Sequence, residues 1–226
     1  MKLIAISGSP KGVEGCTGPL VNTMLEAAQT AGAETELFSL GDLSVLPCKG
    51  CQHICNVVGE CHQKDDFEKI KNAMLEADGV VLATPTYFFS VTAQLKALID
   101  RLSLVYHLQK LHGKYGALVV TAGGSDPEDV TRYLSTIITH FGFWRVGDLC
   151  AVRAQLEDAE ENARLTEDAA TLGKRMVDAI QNRERFPEQE DELNQAFEIM
   201  KFMVMTLREE WPFVWDYWNT HWDLKV

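Results

Sequence analysis

The chain has 226 residues, 46% of them hydrophobic and 24% charged, with a formal net charge of −12 from 21 basic and 33 acidic side chains. That length buries one substantial α/β core with an appendage. The acidic balance excludes nucleic acid or an anionic membrane as main partner, since both require a basic face. No apolar run reaches the ~20 residues of a membrane span, and the start Met1–Ile6 is too short for a signal-peptide core, so a cytoplasmic protein is expected.

Leu3-Ile4-Ala5-Ile6 is an uninterrupted apolar run, as in a strand buried on both faces. It leads through Ser7-Gly8-Ser9-Pro10-Lys11 and on to Cys16-Thr17-Gly18 into helical periodicity up to Ala31. Free backbone N–H groups and hydroxyls at such a helix start suit a phosphate. An ordinary capped strand-to-helix turn reads the same way. No Lys precedes Thr17, so this is not a Walker A loop, and the glycines do not form G-x-G-x-x-G. Glu34 to Leu40 alternates as a strand nearer the sheet edge, and residues 42–62 read as a loop.

Asp65 or Asp66 caps a predicted helix through Glu76. Gly79 to Thr84 is a third, fully apolar strand ended by Pro85, and a helix is predicted from Val91 to Leu104. Lys114 to Ala122 forms strand four, and Asp126-Pro127 opens a helix reaching Phe141. The fifth strand spans Trp144 to Val152, followed by a helix from Asp158 to Asn182. Five strands alternating with helices predict a doubly wound parallel sheet of order 2-1-3-4-5, with ligands beyond the carboxyl ends of the strands. The loops there are 7–18, 84–90 and 121–126.

Past Phe186-Pro187 the pattern changes. Leu193, Phe197, Met200, Val204, Leu207, Trp211, Trp215, Trp218 and Trp222 form one apolar stripe, on one helix or on two kinked at Pro212. The stripe covers its own domain or a second copy of the chain. Residues 1–182 are thus expected to form one domain and 187–226 a helical extension.

Residues 84–101, from Thr84-Pro85-Thr86-Tyr87-Phe88-Phe89-Ser90 through Ile99-Asp100-Arg101, resemble the flavin loop and following helix of the NAD(P)H-dependent FMN reductases. The resemblance extends to the iron–sulfur flavoproteins of the same flavodoxin-like superfamily. Gly8-Ser9-Pro10-Lys11 with Cys16-Thr17 is similar to the family's phosphate loop, and Thr121-Ala122-Gly123-Gly124 to its third flavin-contacting segment. Lys11 stands where Arg is usual, which turns a bidentate clamp into a point charge. Cys16 replaces an Asn, and Phe89 a Gly. The resemblance covers roughly residues 1–180 and implies FMN held by Ser9, Lys11, Cys16, Thr17, Gly18, Pro85 to Ser90, Thr121, Gly123 and Gly124. Taken alone, Tyr87-Phe88-Phe89 reads as a buried aromatic cluster; beside the two other loops it reads as a flavin wall. The flavin carries the hydride chemistry, so no catalytic side chain is required.

Four of the six cysteines (Cys48, Cys51, Cys55 and Cys61) fall within fourteen residues as C-x2-C-x3-C-x5-C. In a reducing compartment such crowding points to a metal or redox site. Iron–sulfur flavoproteins carry a similar run between the second strand and second helix, usually with x2 in the second gap. A [4Fe–4S] cluster, zinc with His53 or His62, and free or redox-active thiols are the three readings. Cys150 is expected as a small core residue and Cys16 as structural. The implied activity is electron transfer from NAD(P)H through FMN to a small acceptor such as a quinone or flavin. The alternative is an iron–sulfur flavoprotein with FMN and a [4Fe–4S] cluster, working with a ferredoxin-like partner. A third reading is a non-catalytic module that binds a partner protein through the Trp-rich tail. The resemblance also implies a homodimer.

Overall fold

The computed structural model describes residues 1–51, 54–124, 127–222 and 224. The elements run β1 (Lys2–Ser7), α1 (Thr17–Thr30), β2 (Glu34–Ser39), α2 (Ile54–Val58), α3 (Phe67–Glu76), β3 (Gly79–Pro85), α4 (Ala93–Arg101) and α5 (Ser103–His107). They continue with β4 (Tyr115–Ala122), α6 (Glu128–His140), β5 (Trp144–Val152), α7 (Arg153–Glu157), α8 (Ala159–Gln181), α9 (Pro187–Thr206) and α10 (Pro212–His221). The sheet has the expected order β2-β1-β3-β4-β5 with every pair parallel. A chain of hydrophobic strands joined by crossover helices must bury both faces, and it does. One face packs β1, β3 and β4 under α3, α4 and α6, and the other under α1 and α8. Nearly every residue of β1, β3 and β4 is buried, whereas β2 and β5 form the half-exposed edges. At Gly173 of α8 an added Cβ would lie 2.1 Å from the Met24 carbonyl oxygen of α1, so the two helices approach backbone to backbone.

Two local expectations are corrected, and the choice between Asp65 and Asp66 is resolved. The segment 42–62 contains the short helix α2. The helix expected over 91–104 divides into α4 and α5, because Thr92 caps the start by accepting the Leu95 N–H and the turn at Leu102 breaks the run. Asp66 occupies the cap position of α3, but its side chain does not cap; Asp65 accepts the Phe67 N–H instead. Asp126 and His53 lie outside the described residues.

The apolar stripe lies on two helices, with Pro212 opening the second. It packs against its own chain. Trp211 and Trp218 are buried with Met200, Val204 and Val214 against Leu108 and the residues around α5. The Trp218 indole N–H donates to the His107 carbonyl at 2.7 Å, and that of Trp222 to the Leu108 carbonyl at 3.2 Å. No helix among the described residues is long and apolar enough to cross a membrane.

Candidate functional site

The loops after β1, β3 and β4 lie side by side because these strands are neighbours at the centre of the sheet. Hydrogen bonds join them. The Gly8 N–H donates to the Ala83 carbonyl at 2.7 Å, and the Thr92 hydroxyl to the Gly8 carbonyl at 2.6 Å. The Thr86 N–H donates to the Thr121 carbonyl at 2.6 Å. Thr17, at the first position of α1, shares a buried 2.7 Å hydroxyl–hydroxyl bond with Thr121.

In the first loop Ser9, Thr17 and Gly18 are buried while Lys11 and Cys16 are exposed, so Cys16 is not a core residue. Ser9 accepts the Lys11 N–H at 3.3 Å. A single 3₁₀ turn, Gly12–Glu14, carries the chain round to α1, and Gly18 sits so close beneath it that an added Cβ would lie 2.1 Å from the Val13 carbonyl oxygen. Cys16 makes no side-chain cap to α1. The first N–H groups of a helix have no partners within it, and an anion satisfies them. Sequence reasoning passed over Arg153 at the start of α7, which pairs with Glu157 at 2.7 Å.

The second loop is a tight hairpin. Tyr87 and Ser90 exchange backbone hydrogen bonds of 2.9 and 3.1 Å. Phe88 and Phe89 between them have φ of +47° and +62°, backbone that costs an L-residue roughly 1–2 kcal/mol. Their rings meet edge to face with centroids 5.8 Å apart and are 97% and 74% exposed. The aromatic run is therefore not a buried cluster. Pro85 and Thr86 are half-buried, and the Thr86 hydroxyl oxygen is buried with no hydrogen-bond partner among the described residues. In the third loop Gly123 and Gly124 are exposed, with open space where a Cβ would stand.

Cys48, Cys51, Cys55 and Cys61 all line one pocket, together with Arg101, Lys49 and Lys71 among others. Cys48 is exposed and the other three are half-buried. The pocket is polarised by donors: the Gly50 N–H reaches the Cys48 sulfur at 3.5 Å, and an Arg101 N–H reaches the Cys61 sulfur at 3.4 Å. Arg101 is itself buried, ion-paired with Asp65, donating to the Leu46 carbonyl and stacked 4.2 Å from the Phe67 ring centroid. Burial pushes the Asp65 carboxyl up, but Arg101 and the backbone N–H groups it accepts outweigh this and hold it below its ordinary value. Burial, and then the neighbouring Cys51, push the Cys55 thiol up. No three His, Cys, Asp or Glu side chains among the described residues are set to hold one metal ion. Cys150 stands apart, half-buried on β5 beside the Thr131 hydroxyl at 3.1 Å.

A switch-point site on a doubly wound sheet, with a hydroxyl-lined helix start and an aromatic turn, defines a flavodoxin-like α/β protein. The chain belongs to the NADPH-dependent FMN reductase family, which its residues 1–157 match, and so to the FMN-dependent oxidoreductases. It is 32% identical over 194 residues to an iron–sulfur flavoprotein of Archaeoglobus fulgidus, covering 85% of this chain and 86% of that one. Two solved structures share the fold. RosB superposes with a TM-score of 0.65 at 13% identity, over 88% of this chain and 87% of that one. An archaeal flavodoxin gives 0.53 at 13% identity, over 80% and 99%.

Proposed function

We propose that this chain binds FMN across the carboxyl ends of β1, β3 and β4, holds a [4Fe–4S] cluster in the four-cysteine pocket, and serves electron transfer from NAD(P)H to a small acceptor such as a quinone or free flavin. The observation that carries the cluster is that four cysteines spread over fourteen residues all line a single pocket. The Archaeoglobus relative's name supports the same reading. FMN supplies hydride and electron chemistry when bound, and the cluster supplies one-electron chemistry.

The donor chemistry of the residues suits both groups. Ser9 and Thr17 present hydroxyls, and α1 its uncapped N-terminus, to a phosphate, with Lys11 as an exposed counter-charge. Cys16 and Gly18 flank that cradle, and the absence of a side chain at Gly18 lets the helix start sit against the loop. Thr86, through its unpartnered hydroxyl, has hydrogen-bonding capacity for a polar ring edge. Pro85 and Tyr87 to Ser90 would border the ring, with Tyr87 and Phe88 as its apolar wall. Thr121 fixes the third segment, whose open Gly123 and Gly124 admit close approach. Around the cysteines, N–H donors from Gly50 and Arg101 stabilise thiolate sulfur.

A second reading has a ferredoxin-like protein as the electron partner, in a reducing cytoplasm. Leu46, Ile54, Val57 and Val58 are large apolar side chains left about half exposed on the segment bearing the cysteines, and such a rim favours a macromolecular partner. A homodimer belongs to the same proposal, and its test is the solution mass.

The deciding experiment is the absorption spectrum of anaerobically purified protein, with iron, acid-labile sulfide and flavin assayed on one sample. Flavin bands over a broad shoulder bleached by dithionite, with matching iron and sulfide, are expected. Flavin without iron from an oxygen-free preparation removes the cluster, and protein without flavin after FMN titration removes the whole reading. Rapid bleaching of the flavin bands by NADH or NADPH supports the first reading. Bleaching only by a low-potential protein donor supports the second.

A further inference from the structure

Helix α2 carries Cys55 and is only five residues long. Isolated helices of this length do not hold together in water, so tertiary contacts must supply the stability. Its exposed side chains Ile54, Val57 and Val58 supply little. Its one fully buried residue is Asn56, whose side-chain oxygen accepts from the adjacent Cys55 thiol at 3.9 Å and is also bonded to His107, and His107 leads to the C-terminal helices.

The Asn56 side-chain oxygen is 2.9 Å from Nδ1 of the buried His107, which follows 51 residues later at the end of α5. The His107 ring lies flat on Trp211, centroids 4.4 Å apart at 21°. Its carbonyl accepts the Trp218 indole N–H. A second contact is made just past α2. Gly59 has φ of +83°, and an added Cβ there would lie 2.4 Å from the Phe213 ring of α10. α10 packs directly on α2. These tail residues lie beyond the stretch matched by the family, which ends at residue 157.

We infer that the tryptophan-rich C-terminal helices are a clamp for the four-cysteine loop: Trp211, through His107 and Asn56, and Phe213, through Gly59, fix α2 and hold Cys55 in the pocket. Asn56, His107, Trp211 and Phe213 are positioning residues, and none of them is a ligand. The clamp acts at α2 and Gly59, while Arg101 holds Cys61 further along the loop. The stripe therefore has a task inside its own subunit. The consequence for cluster content rests on the reading of the cysteines given above; the clamp itself does not.

The test separates the two. In the full-length, cluster-free protein, alkylation of each cysteine by iodoacetamide is followed by peptide mass spectrometry for wild type, Trp211→Ala, Asn56→Ala and, as a control, Phe202→Ala at the 70% exposed position on α9. Cys55 is expected to label several-fold faster in Trp211→Ala and Asn56→Ala, with exposed Cys48 and distant Cys150 unchanged and Phe202→Ala like wild type. Wild-type labelling of Cys55 in both variants overturns the clamp. If Trp211→Ala loses its fold, seen as Cys150 labelling and flavin loss together, Phe213→Ala, labelled alongside, decides, because Asn56 itself accepts from the Cys55 thiol. Iron per FMN is then measured after anaerobic reconstitution. Loss of a positioning contact is expected to weaken iron retention at least about tenfold while flavin per protein stays at the wild-type value. Full iron in both variants overturns the clamp's role at the site. A wild type that takes up no iron, with Cys55 still released in the variants, overturns the cluster and leaves the clamp standing.

Discussion

The flavin-side loops and the four-cysteine loop are built by opposite means. Ser9, Thr86 and Thr121 stand at or just past the ends of strands whose backbone is already committed to the sheet, Thr17 opens the helix that follows β1, and hydrogen bonds tie both Thr86 and Thr17 to Thr121. Cys48 to Cys61 stand on a segment whose described residues include one short helix and no strand. Their geometry is supported by side chains from elsewhere: Arg101, 40 residues from Cys61, and His107, which bonds Asn56 and is backed by Trp211. A site on a sheet inherits its precision from the fold. A site on a loop needs dedicated supports, and each support is a point of failure.

That contrast predicts a ranking. The largest effect is expected at the cysteine loop's buried support. Arg101→Leu strands the Asp65 carboxylate, whose side chain is 2% exposed, and an unpaired buried charge costs about 3–5 kcal/mol. Urea unfolding monitored by tryptophan fluorescence measures it, and a loss below ~1 kcal/mol would remove Arg101 from this role. The same pair carries a pH signature. The folded-state pKa of Asp65 is depressed, so its contribution is complete above the unfolded-state value and disappears as pH falls through the folded one. Wild type should therefore lose stability on acidification below about pH 4. Asp65→Asn should show a shallower decline over that range.

On the flavin side, Gly18→Ala drives a methyl into the Val13 carbonyl and should cost about 1–3 kcal/mol while weakening FMN. A thermal melt and a fluorescence titration with FMN check it, and unaltered flavin affinity would detach the helix start from cofactor binding. Next comes the Thr17–Thr121 bond. Either single Val replacement leaves a buried hydroxyl unsatisfied at about 1–3 kcal/mol. The double replacement should cost less than the two singles together, so additive losses in the cycle would count against a direct bond. The smallest effect has the opposite sign. Phe89→Gly relieves a positive φ and should stabilise the protein by about 1 kcal/mol, seen as a higher Tm.

Much of the flavin side was legible because its determinants are local. The apolar runs Leu3–Ile6 and Gly79–Thr84 could only be strands buried on both faces. The hydroxyls and glycines that follow such strands could then be placed by topology alone. The exposure of Phe88 and Phe89 was not legible, since an aromatic run at a strand end reads equally as core. The cysteine spacing announced a site but not its supports. Arg101 closes the flavin-loop helix in sequence yet pairs with Asp65, 36 residues earlier, and no periodicity encodes that. Helix α2 escaped because five residues are too few to show a helical period. The tryptophan stripe was visible as an amphipathic face, but which surface it covers depends on where α5 ends in space.

The backbone contact between Gly173 and Met24 has a kinetic consequence. With no room for a methyl group between α1 and α8, close packing restrains the helix that presents Thr17. A cradle so restrained is expected to stand assembled before FMN arrives, with little ordering entropy lost on capture. Flavin uptake should accordingly proceed in one phase whose rate rises linearly with FMN concentration and shows no plateau.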